Sequence, residues 1–313
     1  MEPVRVGVIG VGSMGKNHAR VCASLPQMEL VGLVDVDEAR VRPIAEGYNT
    51  NYYSDYRELY DKVDAVVIVS PTPLHYEIAA DFLQRDIHVL VEKPITVDVD
   101  QAKGLVELAK DHHLILQVGH LERFNPAVIK MKKILEEPML IECHRLSGPT
   151  TRNLDVGIIW DLMIHDFDIL LSLLKSPVAY VHALGTSVYS PFEDIAHVQM
   201  RFKNGAMASL VASRNSGERK RSLKITEKTG RVLMLDFIEQ SLTISSPGPD
   251  GRPLDPVSVH IDKEEPLVLE LKNFAECVAL HKKPLVSGED GKRALELAMH
   301  VLKNMDMREE KQR

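Results

Sequence analysis

A glycine-rich hexapeptide near the start of the chain, Gly10–Gly15 with the sequence GVGSMG, constrains the fold more than any other feature. It directly follows an apolar, β-branched run, Val4–Gly10, and it opens a helical segment. In that strand–turn–helix context the pattern is typical of a dinucleotide-binding turn. The first glycine permits the tight turn, the second lets a pyrophosphate approach the backbone, and the third lets helix and strand pack closely. A glycine-rich turn that binds no ligand is the alternative.

Asp35 ends the second apolar run, 20 residues after Gly15. A carboxylate there accepts hydrogen bonds from ribose hydroxyls and repels a 2′-phosphate, so the pattern favours NAD over NADP. The alternative role for Asp35 is a helix N-cap. We expect the pyrophosphate at the free N–H groups of the helix that the glycine turn opens. The residues expected to bind the cofactor in this part of the chain are Gly10, Gly12, Ser13, Met14, Gly15 and Asp35.

Strand-like and helix-like segments alternate up to about residue 120. The strand-like runs are continuously apolar, which is typical of strands buried on both faces of a parallel sheet. Short connections between them predict a doubly wound α/β sheet of the Rossmann type. The predicted strands are Val4–Gly10, Leu30–Asp35, Asp64–Ser70, Ile87–Glu92 and Leu114–Val118.

The pattern changes in the second part of the chain. Two helical segments, Pro126–Glu137 and Ile158–Lys175, precede a series of strand-like runs, and Leu267–Lys282 and Glu289–Met305 are the last predicted helices. Strands that follow one another and alternate in polarity predict a mostly antiparallel sheet with one face on helices. We therefore expect an NAD-binding domain over residues 1–120 and a substrate-binding α+β domain over 121–313. The predicted strands are Val178–Tyr189, Ile195–Phe202, Ala206–Arg214, Leu223–Lys228, Arg231–Phe237, Leu242–Ser245 and Val257–Ile261, with a hairpin turn at Asn204-Gly205.

Composition argues against several classes of protein. The formal net charge of −7 is unlike the basic surface that nucleic-acid binding needs. No apolar run reaches the length of a membrane span, and the first residues lack the features of a signal peptide. The three cysteines, Cys22, Cys143 and Cys277, are far apart, which indicates a reducing compartment. We expect a cytoplasmic protein.

Lys93 lies in the segment VEKP, directly after a predicted buried strand. Open α/β sheets bind ligands at the carboxyl ends of their strands, where an ammonium can donate to a substrate hydroxyl and stabilise a developing oxyanion. A solvated lysine in a turn is the alternative. The segment SPTPLH ends the preceding strand at the same edge, although Thr72 can instead cap the next helix and His75 can be an ordinary residue of its first turn. Cofactor contacts are expected from Ser70, Thr72, His75, Glu92, Lys93 and Gln117.

The helix Ile158–Lys175 is apolar except for a polar stripe. Asp161, His165, Asp168 and Ser172 recur at i, i+4, i+7 and i+11, within roughly 60° of arc. A histidine exchanges protons near neutral pH, and a carboxylate one turn away orients it, as the deprotonation of an alcohol during hydride transfer requires. A thin polar face turned to water is the alternative. No metal is expected, because two ligands do not make a site.

The ordered motifs GVGSMG, SPTPLH, VEKP, RFNP and DLMIH resemble the glucose-fructose oxidoreductase / inositol dehydrogenase / MocA (Gfo/Idh/MocA) family over essentially the whole chain. The resemblance implies a Rossmann domain and a second domain with an open sheet, whose exposed face commonly forms homodimers or homotetramers. It also implies that Lys93, Asp161 and His165 hold the catalytic positions, with His165 as proton acceptor.

Within the family, Gly119–Val128 and Trp160–Leu173 resemble enzymes that oxidise the 3-hydroxyl of UDP-N-acetylglucosamine. That resemblance implies a nucleotide-sugar substrate. Arg123 can bind a carboxylate or phosphate, or form an interdomain salt bridge. Another sugar or inositol as substrate, glycoside cleavage assisted by a retained NAD, and a non-catalytic NAD-binding regulator are the competing hypotheses. The residues expected at the substrate are Lys93, Arg123, Trp160, Asp161 and His165.

Overall fold

The structure is a computed structural model that describes residues 2–149 and 156–308. The chain forms two compact units. The first comprises Met1–Phe124 and Glu265–Leu295, and the second comprises Asn125–Glu264 and Glu296–Arg313. Residues 265–295 thus join the N-terminal unit, which the sequence pattern did not indicate, because helical periodicity does not say which core a helix covers. The functional domain boundary at residue 120 stays a prediction.

The first unit contains a six-stranded parallel sheet in the order β3-β2-β1-β4-β5-β6. This is the strand order of doubly wound dinucleotide-binding folds. The predicted fold class is confirmed. Strand β3 was not predicted, because three residues are too few to carry a pattern. The strands are β1 (Val4–Ile9), β2 (Met28–Val34), β3 (Asn51–Tyr53), β4 (Ala65–Ile68), β5 (His88–Glu92) and β6 (Leu116–Gly119).

Helices cover this sheet, and one of them returns from far along the chain. Leu271 and Phe274 of α7 are fully buried in the same core as Val6 and Val8 of β1. Burying side chains of this size stabilises a fold by roughly 1.5–3 kcal/mol each. The α-helices of the described residues are α1 (Ser13–Ser24), α2 (Glu38–Tyr48), α3 (His75–Leu83), α4 (Val99–Asp111), α5 (Pro126–Ile134), α6 (Ile164–Leu174), α7 (Pro266–Leu280) and α8 (Gly288–Lys303).

The second unit contains a nine-stranded sheet in the order β14-β13-β12-β11-β7-β10-β9-β8-β15. Its pairs are antiparallel except for β7–β10 and β8–β15, so the predicted mostly antiparallel sheet is confirmed. Asn204-Gly205 forms the β9–β10 hairpin, where Gly205 has a φ of 88°. The strands are β7 (Pro138–Leu146), β8 (Val178–Thr186), β9 (Ile195–Phe202), β10 (Met207–Ser213), β11 (Lys220–Glu227), β12 (Val232–Asp236), β13 (Ser241–Ser245), β14 (Val257–Val259) and β15 (Met305–Arg308).

Strand β7 was not predicted, although it lies between β11 and β10 near the middle of the sheet. Its inward positions are Ile141, Cys143 and Arg145, so a charged residue interrupts the apolar alternation. The Arg145 guanidinium is buried and lies 2.8 Å from the carboxylate of Asp166 in α6. A buried ion pair therefore hid the strand from pattern analysis. The sequence also predicted helix up to Met305, whereas α8 ends at Lys303 and β15 begins at Met305.

One face of this sheet packs on helices α5 and α6, and the other is exposed. We call the exposed face the open face. Apolar side chains stand on it at Tyr180, Leu184, Met207 and Met234, which are between 39% and 61% exposed. Among the described residues, no helix combines the length and apolar character that crossing a membrane requires.

Candidate active site

The glycine turn has the geometry that its sequence predicts. Gly10 has a φ of 90°, and a Cβ on it would lie 2.7 Å from the carbonyl oxygen of Val69. A Cβ on Gly15 would collide with the carbonyl group of Gly10. A Cβ on Gly12 would meet no protein atom within 4 Å, so the space above the N-terminus of α1 is open. Close backbone contacts thus require glycine at positions 10 and 15, whereas Gly12 faces space that a ligand can fill.

The Asp35 carboxylate joins the glycine turn to the end of β2. Its Oδ2 accepts the Val11 N–H at 3.0 Å, and its Oδ1 accepts the Asp37 N–H at 3.0 Å. Arg40 lies 3.5 Å from Oδ2. The N-cap of α2 is Asp37, whose side chain accepts the Arg40 N–H, so Asp35 is not the helix cap. Asp35 therefore stands beside the glycine turn with a fixed orientation.

A cleft of about 820 Å³ opens at this edge of the first unit. That volume is in the range of small-molecule sites. The Ser70 Oγ is buried, and no hydrogen-bond partner for it is found among the described residues. An unsatisfied hydroxyl and the open space over Gly12 both fit a dinucleotide. The lining includes four residues that the sequence predicted for the cofactor, Gly10, Gly12, Asp35 and Ser70.

His75 is buried and connects two loops at the carboxyl ends of the strands. Its Nε2 lies 2.8 Å from the carbonyl oxygen of Ser70, and its Nδ1 lies 2.9 Å from that of Pro94. Burial lowers the pKa of His75, although both carbonyls act in the opposite direction. His75 therefore does more than begin α3, because its imidazole bridges the carbonyl groups of Ser70 and Pro94. Thr72, half-buried, begins a short 3-10 turn just before α3.

Glu92 turns its carboxylate into the interior of the first unit. Its Oε1 lies 2.9 Å from Nε2 of His18 in α1, and its Oε2 accepts the Lys93 N–H at 3.1 Å. Burial raises the pKa of Glu92, but the hydrogen bond from His18 and the charges of His18 and Lys93 outweigh it, and the pKa is lowered. Lys93 itself is half-buried. A cofactor contact from Glu92 stays a prediction.

Strand β6 and the segment after it are more buried than their polar residues indicate. The Gln117 side chain is fully buried and donates to the Glu270 carbonyl at 3.2 Å. His120 is buried, and burial followed by the charges of Lys93 and Arg123 lowers its pKa to about 3. Arg123 donates to the Leu285 carbonyl at 3.0 Å. The structure therefore gives these residues internal contacts within the first unit, and their ligand contacts stay predictions.

The Asp161–His165 segment lies in the second unit. A π turn, Ile159–Met163, leads into α6. Such turns are often found at functional sites. Asp161 and His165 are half-buried, and Asp168 and Ser172, farther along the same stripe, are buried. A solvated polar face therefore does not describe this stripe.

Glu193 fixes the start of this π turn, and sequence analysis did not find it. Its backbone carbonyl accepts the Ile158 N–H at 2.9 Å, and its carboxylate accepts the Ile159 N–H at 3.1 Å. A Cβ on Gly157 would collide with that carboxylate. Glu193 is far from the π turn in the sequence, so no local pattern predicts the contact between them. Residues 150–155, which precede the predicted helix, lie outside the described residues.

Both parts of the chain match models of a known protein family. Residues 4–120 match the model of an oxidoreductase family with an NAD-binding Rossmann fold, and residues 141–233 match the Gfo/Idh/MocA C-terminal domain. The chain belongs to the Gfo/Idh/MocA oxidoreductase family. The predicted family is thus confirmed, and with it an oxidoreductase whose first unit is a nicotinamide-dinucleotide-binding fold.

Several Gfo/Idh/MocA relatives are similar over nearly the whole chain. UDP-N-acetylglucosamine 3-dehydrogenase from Acidithiobacillus ferrooxidans is 33% identical over 96% of this chain and 97% of its own. Its crystal structure aligns with a TM-score of 0.91, covering 97% of this chain and 98% of that one. Myo-inositol 2-dehydrogenase from Thermotoga maritima is 30% identical over 97% of this chain and 96% of its own. Similarity thus extends to enzymes named for two different classes of substrate.

Proposed function

We propose that this protein is an NAD-dependent dehydrogenase that oxidises a hydroxyl of a sugar or nucleotide sugar, with the 3-hydroxyl of UDP-N-acetylglucosamine as the favoured substrate group. The cleft beside the glycine turn carries the proposal, because an open N-terminus, a fixed carboxylate and an unsatisfied hydroxyl meet there. The relative named UDP-N-acetylglucosamine 3-dehydrogenase supports the choice of substrate.

The chemistry requires a hydride acceptor, which NAD supplies when bound. His165 takes the hydroxyl proton, and Asp161 orients the imidazole from one turn away. Lys93 donates a hydrogen bond to the same oxygen and stabilises the charge that develops on it. Trp160 and Arg123 are proposed to contact the rest of the substrate.

NAD is proposed in preference to NADP because of Asp35. Its carboxylate is held by backbone N–H groups beside the cleft, so a ribose diol is favoured and a 2′-phosphate is repelled. Arg40, at 3.5 Å from Asp35, is already engaged by that carboxylate and by Asp37. Both interactions reduce the positive charge that it would offer to a phosphate.

A homodimer or homotetramer built through the open face is also proposed. Exposed apolar side chains at Tyr180, Leu184, Met207 and Met234 give that face the character of an interface. Association with nucleic acid or membranes is not proposed. A cytoplasmic location stays a prediction.

The test is an assay of NADH absorbance with UDP-N-acetylglucosamine, compared with free sugars and inositols. We expect reduction of NAD by UDP-N-acetylglucosamine and little by the rest. His165→Ala should lower turnover about 10²–10⁴-fold with NAD binding retained. Unchanged turnover in that variant would reject the role of His165. Absence of reduction with every compound would favour a regulator, and a preference for inositol would reject the nucleotide sugar.

A further inference from the structure

A cluster of ionisable side chains lies inside the first unit, and one of its members directly precedes Lys93 in the sequence. His18 of α1, Glu92 at the end of β5 and Glu270 of α7 each offer one ligand or acceptor atom, and these atoms lie within 4.8 Å of one another. His18 and Glu270 are fully buried, and the Glu92 side chain is 13% exposed. Sequence analysis did not connect them, since α7 is far from the other two in sequence. No step of the proposed chemistry uses this cluster.

Glu270 is the member whose charge decides what the cluster can do. Neither of its carboxyl oxygens has a hydrogen-bond partner among the described residues. A buried ion without partners is far more costly than a buried neutral acid. Burial, and then the negative charge of Glu92, raise the pKa of Glu270 well above its ordinary value. This environment therefore favours the neutral carboxylic acid form of Glu270.

Glu92 is the anion of the cluster. The hydrogen bond from Nε2 of His18 and the N–H of Lys93 stabilise its two oxygens, at 2.9 Å and 3.1 Å. Nδ1 of His18 is buried, and no hydrogen-bond partner for it is found among the described residues. The negative charge of the cluster is thus concentrated on the residue next to Lys93.

Lys93 and Glu92 stabilise each other's charges. Lys93 lowers the pKa of Glu92, and interaction between two charges is reciprocal, so Glu92 favours the ammonium form of Lys93. The other groups facing this region act less directly: His120 is held neutral by burial, and Arg123 and Asp290 carry opposite charges near it. The charge of Glu92 also acts to raise the pKa of His75, on α3, against the larger effect of burial.

We propose that Glu92, held by its hydrogen bond with His18, is a positioning residue that keeps Lys93 protonated and oriented. The inference rests on the proposed function, in which the Lys93 ammonium acts on the substrate oxygen. A divalent cation among the three residues is the competing explanation, because an imidazole and two carboxylates form a common donor set. The direct 2.9 Å hydrogen bond between His18 and Glu92 and the adjacent ammonium argue against it.

The experiment titrates Lys93 directly and needs no substrate. Lysines of the full-length protein are dimethylated with ¹³C-formaldehyde, and the Lys93 resonance is assigned by its loss in Lys93→Arg. In the unchanged protein we expect a titration midpoint at or above the ordinary lysine value of about 10.4, despite partial burial. A midpoint well below that value would overturn the proposal, and this arm does not depend on any variant folding.

Isosteric variants then separate the members of the cluster. Glu92→Gln should lower the Lys93 midpoint by about one pH unit, because the neighbouring anion is lost. Glu270→Gln should leave it unchanged, because an amide is as neutral as the acid it replaces. Glu107→Gln, a solvated glutamate on α4, is the matched control. An unmoved midpoint in Glu92→Gln, or an equal shift in Glu270→Gln, would overturn the proposal.

Metal analysis excludes or establishes the competing explanation. Dialysis against Zn²⁺ alone should leave no tightly bound ion in the unchanged protein. Stoichiometric zinc that Glu270→Gln abolishes would replace the proposal with a metal site. The proposed function fails separately, through an inactive protein or a fully active Lys93→Arg, while the Lys93 titration still reports on Glu92.

Discussion

At the scale of single residues, the proposed choice of cofactor depends on Asp35, whose carboxylate is held beside the glycine turn by two backbone N–H groups. Gly10, Gly12 and Gly15 could be predicted because backbone turns leave a local pattern, and the structure gives each the space that its role needs. His18, Glu193 and Glu270 could not be predicted, since their partners are distant in sequence. Asp35 was found, but its two bonds to backbone N–H groups were not, because they require the positions of the glycine turn and of Asp37.

Asp35→Ala tests the choice of cofactor at this scale. The variant loses the carboxylate that is proposed to bind the ribose diol, and hydrogen bonds to charged groups contribute about 1.5–3 kcal/mol each. We expect the Kd for NAD to rise about tenfold or more, with a smaller change for NADP, in a fluorescence titration. Asp37→Ala is the control: it removes the N-cap of α2 and about 1 kcal/mol of stability, but should keep the ratio of the two affinities. A ratio unchanged in Asp35→Ala would contradict the assignment of NAD.

At the scale of elements, periodicity predicted most of the helices and the continuous strands. It failed where tertiary contacts override a local pattern. Strand β7 carries the buried Arg145 at an inward position, and the helix that holds Asp161 begins as a π turn fixed by Glu193. A regular 100° spacing therefore described the stripe on α6 but not the turn that precedes it.

Two alanine substitutions in the glycine turn should separate binding from folding. Gly12→Ala adds a Cβ into open space, so the free energy of unfolding should change little, whereas NAD binding should weaken because the methyl group occupies the approach of the pyrophosphate. Gly15→Ala forces α1 away from Gly10 and should destabilise the protein by about 1–3 kcal/mol. Denaturant unfolding and NAD titration of both variants are the measurements. Equal losses of stability in the two would show that the open space over Gly12 is not specific to a ligand.

At the scale of the whole molecule, the fold class and the family followed from the order of the motifs, and the comparisons confirm both. The grouping of residues 265–295 with the first unit did not follow, because the periodicity of an amphipathic helix does not show which core the helix packs against. Substrate identity is the least determined property, since relatives of similar identity are named for a nucleotide sugar and for inositol.

The proposed oligomer is tested on the open face. Met234→Glu places a charge on a side chain that is 52% exposed, so the free energy of unfolding of the isolated chain should change by no more than about 0.5 kcal/mol. Burial of that charge in an interface between copies should shift light-scattering mass towards the monomer. Tyr48→Glu, on α2 of the first unit, is the control and should keep the mass of the unchanged protein. A mass that Met234→Glu does not alter would remove Met234 from any such interface.

The long return of α7 has a consequence for how the protein is made. Because Leu271 and Phe274 complete the core around β1, a nascent chain that has emerged only as far as Phe124 lacks part of the interior of its dinucleotide-binding unit. The core of that unit can be completed only after the intervening β-rich segment has been synthesised, because α7 follows that segment in the sequence. A fragment cut at Phe124 would expose the apolar surface that α7 normally covers, and cofactor capture during synthesis would have to follow the arrival of that helix.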